Sequence, residues 1–181
     1  MRLFKEKLAW AAPIAVILII ALFSVNLFAQ GDPKVRNLPV AFIVNDEGVH
    51  VDAVKSAVKQ MSKGANGEEP MLAFTKEKES DIEALFDNKK YYAALVIPEN
   101  YNDALQNAMT NNSAATLQIY INQGFNATGA NFAKTALNGL IEQLSNQYSA
   151  NFLKQIGDQQ IDANKASILV KPIVSEEKVF N

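Results

Sequence analysis

Between Leu8 and Ala29 the chain carries no charge, and only Ser24 and Asn26 interrupt its apolar surface with polar groups. About 22 residues at ~1.5 Å each make a helix of ~33 Å, which matches a hydrocarbon core of ~30 Å. This segment constrains the chain more than any other feature, because it predicts one membrane span followed by a separate folding unit. Pro13 falls in the first turns, where a missing amide costs little, and Trp10 sits at the boundary as an interfacial anchor. Trp10, Pro13, Ser24 and Asn26 break the uniform surface and are the expected helix-packing positions. Arg2, Lys5 and Lys7 precede the span, so the positive-inside rule sets the N-terminus in the cytoplasm and everything after Gln30 outside. The expected organisation is a basic tail over 1–7, a span over 8–29, a linker over 30–37 and an extracytoplasmic domain over 38–181.

A cleaved signal peptide is the rival reading. Its apolar region is shorter, roughly 7–15 residues, and ends in small residues. Here the run is longer, and Leu27 occupies the third position before the best cleavage site, after Ala29. An uncleaved anchor fits better, and either reading exports the remainder.

Charge and composition exclude several functions. Arg2, Lys5 and Lys7 against Glu6 give the first residues a net +2, so the formal −2 of the whole chain leaves −4 on the rest. A mildly acidic domain lacks the basic footprint that a nucleic-acid backbone requires. With no cysteine there is no disulfide framework, thiolate metal site, lipoprotein anchor or cysteine nucleophile. A single histidine, His50, makes a zinc site or a Ser-His-Asp arrangement a poor expectation. The chain lacks Gly-x-Ser-x-Gly, a phosphate-cradling Gly-Lys-Ser/Thr and Gly-x-Gly-x-x-Gly, so no catalytic residue, cofactor or metal is assigned and an enzyme is not expected.

The exported part alternates between two hydrophobic periods. Leu38 to Asn45 is a continuous apolar run rich in β-branched residues, as in a strand covered on both faces. His50 to Lys63 presents Val51, Val54, Ala57, Val58 and Met61 along one helical face. A short strand follows at Met71 to Thr75, then a helix that Ser80 caps and that runs to Asn88. Tyr91 to Ile97 is a second continuous strand, Tyr101 to Met109 a helix, and Ala115 to Asn122 an alternating, half-exposed or edge strand. A long helix over Ala130 to Gly157 has Leu137, Leu140, Ile141, Leu144, Tyr148, Phe152, Leu153 and Ile156 on one stripe and an amide-rich opposite face. An extended segment over Ser167 to Val174 completes the pattern. This predicts an α/β fold: a mixed or mostly parallel sheet flanked by helices, one of them long, in the C-terminal half.

Two surfaces stand out as candidate sites. The carboxyl edge of such a sheet is where α/β folds bind ligands, and Asp46, Glu47, Pro98 and Glu99 fall there. Their plainer reading is a polar turn in which Gly48 supplies a positive φ, with His50 exposed in the first helical turn. The amide-rich helix covers the sheet on the plain reading, and on the sharper one pairs with a second copy. Gln118 and Tyr120 of the alternating strand, with Asn138, Gln143, Asn146 and Gln147 of the helix, are the candidate self-association residues.

A family resemblance runs through three stretches in order. Asn37-Leu-Pro-Val-Ala-Phe-Ile-Val-Asn-Asp-Glu-Gly48, behind one apolar helix, resembles the opening of the YhgE/Pip (phage infection protein) family, within the type-2 ABC exporter permease group. Lys89-Lys-Tyr-Tyr-Ala-Ala-Leu-Val-Ile-Pro-Glu-Asn-Tyr-Asn-Asp-Ala-Leu105 and Leu117-Gln-Ile-Tyr-Ile-Asn-Gln-Gly-Phe-Asn126 are similar to its next segments. The resemblance implies an extracytoplasmic domain between a first membrane helix and a later membrane bundle, in a Gram-positive surface protein that serves export or secretion. It implies the bilayer and other transporter or secretion subunits as partners, and transfers no catalytic residue. A permease needs more spans than one, so the chain is expected to be a fragment of a longer polytopic protein, or else a single-pass relative that does not transport alone. The alternative is a membrane-anchored ligand-binding sensor, or a phage or partner receptor domain.

Overall fold

The computed structural model describes residues 35–63, 69–78, 82–87, 91–156 and 163–181. The expected span over 8–29, with Trp10, Pro13, Ser24 and Asn26, lies outside the described residues. Among the described residues, no helix is long and apolar enough to cross a membrane. The compact unit is Val35–Asn181, and Asn37 already donates its amide to the Pro70 carbonyl at 2.8 Å.

Five strands form one mixed sheet in the order β2-β1-β3-β4-β5. They are β1 Leu38–Val44, β2 Leu72–Glu77, β3 Ala93–Ile97, β4 Ala115–Asn122 and β5 Ile173–Phe180. The helices are α1 Val49–Met61, α2 Ile82–Asp87, α3 Tyr101–Gln106, α4 Ala108–Asn111, α5 Ala127–Ile156 and α6 Ala163–Val170. β1 pairs parallel with β2 and β3, β3 antiparallel with β4, and β4 parallel with β5. One row of register runs Val40–Ala93–Ile121–Val179. The start of β1 and the end of β5 therefore share one edge of the sheet, and the carboxyl ends of β1 and β3 share the opposite edge.

A single crossover hand explains which face each helix takes. From β1 to β2 the chain steps one way across the sheet, and α1 packs with Leu38, Val40 and Phe42 on one face. From β2 to β3 it steps back past β1, so the same hand requires the other face. There Phe86 of α2 packs with Ala41, Ala94 and Tyr91. From β4 to β5 both strand direction and step are reversed relative to the first crossover, which returns α5 to the first face. That face holds the main core, where Leu95, Leu117, Ile119, Ile121, Leu137 and Leu140 are all buried.

The sequence expectations meet the structure unevenly. The continuous apolar runs of β1 and β3 are central strands, and β4 has the expected bounds. It is not an edge, however: it lies between β3 and β5, and it alternates because Thr116, Gln118 and Tyr120 are only half-buried on the face opposite α5. The expected extended segment over Ser167–Val174 divides instead. Its apolar half closes α6, where Ile168 and Leu169 are buried, and the strand runs on through Glu176, Glu177 and Lys178. Those charges hide the strand because they stand exposed on a sheet margin. Leu153, expected on the buried stripe of the long helix, is 53% exposed.

Candidate functional site

β1 and β3 are parallel neighbours, and the helices that follow them, α1 and α3, pack into the same core on one face of the sheet; their carboxyl ends form the edge where α/β sheets bind ligands. Asp46 and Pro98 are half-buried there, and Glu47 and Glu99 are exposed. Asn45 donates its amide to Ile97 O at 3.0 Å and ties the two strand exits together.

Neither helix leaving this edge carries its own capping side chain. Each takes one from the other connection: α3 from the Asp46 turn, and α1 from Asn102 in the first turn of α3. Asp46 Oδ2 accepts the Asn102 amide of α3 at 2.7 Å, and Asn102 Oδ1 accepts the His50 amide of α1 at 3.1 Å. The second oxygen of Asp46 accepts the Glu47 amide at 2.8 Å. Both Asp46 oxygens are thus engaged by backbone donors, a role that helix N-termini reserve for side-chain oxygens. Gly48 has a φ of 127°, and a Cβ there would lie 2.3 Å from Asn102 Oδ1, so glycine is needed both for conformation and for room.

Beside this latch lies a cluster that the sequence pattern did not reveal. His50 is half-buried rather than exposed, and its Nδ1 lies 2.9 Å from the Tyr148 hydroxyl of α5, the rings meeting edge to face at 5.3 Å. Burial holds the imidazole below its ordinary pKa and raises the Tyr148 phenol. The Nε2–H tautomer then lets Tyr148 donate to Nδ1. Tyr101, at the first position of α3, is 1% exposed, and its hydroxyl has no hydrogen-bond partner among the described residues. Burial first, and then repulsion from Tyr148, push that phenol far up. Three elements distant in sequence thus converge on His50, Tyr101 and Tyr148. A lone histidine spaced by 98 residues from its partner offers no local signal to find.

The six candidate self-association residues separate into different surroundings. Gln118 donates to Glu176 at 3.3 Å and receives the Tyr120 hydroxyl at 3.3 Å, on the sheet face opposite α5. Lys178 sits over the Tyr120 ring at 5.5 Å. Asn138 is turned toward β5, donating to Glu177 at 2.7 Å and accepting from Ser175 at 3.0 Å. Lys134 joins the same carboxylate at 2.6 Å, and these two donors hold the Glu177 carboxyl below its usual range. Gln143 and Gln147 line an open groove of about 530 Å³ between α1 and α5, with Ala53, Ser56 and Gln60 across from them. Asn146 stands on the outward side of α5.

Comparison with known proteins brings these observations together. Residues 13–181 match the family described as "Protein of unknown function (DUF3533)". The "Uncharacterized protein YhgE" of Bacillus subtilis (strain 168) is 26% identical over 163 residues, covering 84% of this chain. The chain spans only 20% of the length of that relative. A crystal structure of a domain from Thermotoga maritima MSB8, provisionally named as part of an ABC type-2 transporter, aligns with a TM-score of 0.48 and 19% identity, over 78% of this chain and 86% of that one. The chain belongs to the DUF3533 family, and it is of the YhgE type that its own residues resemble.

Proposed function

We propose that this chain is the first membrane helix and extracytoplasmic domain of a YhgE/Pip-like membrane protein that works in an ABC-type export or secretion system, as one part of a longer polytopic chain. One geometric observation carries the reading. The first strand of the compact unit starts and β5, the last strand described, finishes at the same end of the sheet, through the row Val40–Ala93–Ile121–Val179. A domain held between two membrane segments needs both connections on one side, and this arrangement leaves Asp46, Pro98 and the His50 cluster at the far edge. The apolar segment 8–29, its basic flank and the YhgE relative, of whose length this chain spans only 20%, support the same reading. The partners are then the bilayer and the other subunits of the exporter.

Cysteine labelling tests this directly, because the chain has no cysteine of its own. In intact cells, Ser113→Cys, at an exposed position, is expected to react with a membrane-impermeant maleimide and Lys5→Cys to react only after lysis. The reverse pattern ends the topology. The export assignment further expects the full protein, solubilised from its own membranes, to co-purify with an ATP-hydrolysing subunit. Purification without one withdraws export and leaves the topology standing.

A second reading, a membrane-anchored ligand sensor or receptor, has one observation in its favour: the buried Tyr101 hydroxyl without a partner, next to Asn100 at the edge that faces away from both connections.

A further inference from the structure

The end of the sheet away from the His50 cluster carries a row of apolar side chains. Met71, just before β2, Phe125, just after β4, and Val179, next to last in β5, are all exposed there. Tyr92, just before β3, is half-buried and meets Phe125 with ring centroids 4.7 Å apart. Every strand but β1 thus brings one apolar side chain to this end, and β1 brings the connection to the apolar segment 8–29. At ~4.8 Å between strands the row is ~19 Å wide. Phe132, in the second turn of α5, is exposed near the same end. The opposite end has Val49 and Val170 exposed, the first residue of α1 and the last of α6, and no exposed aromatic among the described residues.

The shortness of the connection says what covers the row. Val35 opens the compact unit six residues beyond Ala29, the last residue of the apolar segment. Six residues reach ~20 Å at full extension, and ~5–7 Å of that is headgroup layer. With 8–29 in the bilayer, this end of the sheet is therefore held within ~15 Å of the headgroups, whatever path the linker takes. Under such a tether a weak contact suffices, because it forms within one molecule at high effective concentration. We propose that the domain rests on the outer surface of the bilayer through this end, with Met71, Phe125 and Val179 entering the headgroup layer and Tyr92 behind Phe125. Arg36 and Glu69 flank the row with opposite charge, Arg36 Nη1 donating to the Glu69 carbonyl at 2.7 Å, and Glu83 and Asp87 line the hollow beside Phe125. The contact thus draws on insertion of apolar side chains and not on attraction to anionic lipid. It presupposes the topology proposed above, and adds that the domain lies on the membrane instead of standing clear of it.

Fluorescence quenching in vesicles decides it, since a chain without cysteine can be labelled at one chosen site. The full chain, residues 1–181, is made with Ala29→Cys, Met71→Cys, Phe125→Cys or Ser113→Cys, labelled with a small fluorescent maleimide and reconstituted in phosphatidylcholine vesicles. Part of the lipid carries a nitroxide on carbon 5 of an acyl chain, which quenches dyes at the headgroup boundary. Ser113 precedes β4, whose eight residues set it ~24 Å or more from the row. Quenching at Met71→Cys and at Phe125→Cys is expected to exceed that at Ser113→Cys by roughly threefold or more. Adding Phe125→Asp and Val179→Asp to the Met71→Cys chain, with the circular dichroism unchanged, is expected to lower its quenching to the Ser113→Cys level. Equal quenching with and without these aspartates means that the tether alone keeps the row near the lipid, and overturns the contact. Quenching at Ala29→Cys with none at Phe125→Cys also overturns the contact and leaves the topology standing. No quenching at Ala29→Cys ends the span, and the contact with it.

Discussion

Asp46 and Asn102 cap each other's helices. The carboxylate of Asp46 receives the first-turn amide of α3 at Asn102, and the side-chain oxygen of Asn102 receives the first-turn amide of α1 at His50. The two bonds join the exits of β1 and β3, so the carboxyl edge of this parallel pair is a fastening between two helices on the same face of the sheet.

Removing either half of this latch is expected to cost about 1 kcal/mol, the usual worth of a capping side chain. Asp46→Ala and Asn102→Ala are then expected to combine less than additively, because loss of one loop's hold on the other's helix loosens both bonds. Urea unfolding of the two single variants and the double variant measures the coupling. Strict additivity means the two caps act independently.

Gly48→Ala is expected to destabilise by roughly 2 kcal/mol or more, since it adds strain at a φ of 127° to a collision with the Asn102 side chain. In an Asn102→Ala background the collision disappears and the strain stays. The cost of Gly48→Ala should therefore fall there without vanishing, which the midpoints of urea unfolding will show.

The His50 contact makes stability depend on pH. Burial lowers the folded-state pKa of the imidazole below its unfolded value near 6.5, so the unfolded chain takes up a proton first as pH falls. The contribution is complete above about pH 6.5, and declines below that until the folded pKa is passed. His50→Gln is expected to flatten this part of the profile while leaving the carboxylate-driven decline at lower pH. Unfolding midpoints at pH 7.5 and 5.5, compared between parent and variant, give the answer; an equal drop in both means His50 does not titrate between them.

Tyr101→Phe removes a buried hydroxyl that has no partner among the described residues. Because an unsatisfied buried polar group is a cost, the substitution is expected to leave stability unchanged or raise it by about 1 kcal/mol. A loss of similar size in thermal unfolding means that the hydroxyl meets a bound water or ligand, and it strengthens the sensor reading.

Local pattern carried much of this fold. The continuous runs Leu38–Asn45 and Tyr91–Ile97 read as strands because both faces of β1 and β3 are covered, and the period of two in Ala115–Asn122 reads correctly because one face is only half-buried. What pattern missed has a shared cause. β5 lies on a sheet margin, where Glu176, Glu177 and Lys178 stand exposed at no cost, so its sequence lacks the apolar signature of its neighbours. Leu153 looks like core by spacing, yet its turn of α5 presents it outward.

The candidate site was legible only as positions. Asp46, Glu47, Pro98 and Glu99 follow apolar strands, and that suffices to put them at the carboxyl edge of a parallel pair. It does not tell that Asp46 is engaged by the amides of Glu47 and Asn102, because its α3 partner lies 56 residues away.

The sequence by itself determined the alternation of strands and helices, the apolar segment ahead of them and the likeness to YhgE, since each rests on residues adjacent in the chain or a helical turn apart. Tertiary structure alone decided the strand order, the reciprocal capping of α1 and α3, the meeting of His50 with Tyr148, and which side of α5 faces outward. Those depend on crossover hand and on packing between segments 50 to 100 residues apart, and no local period encodes them.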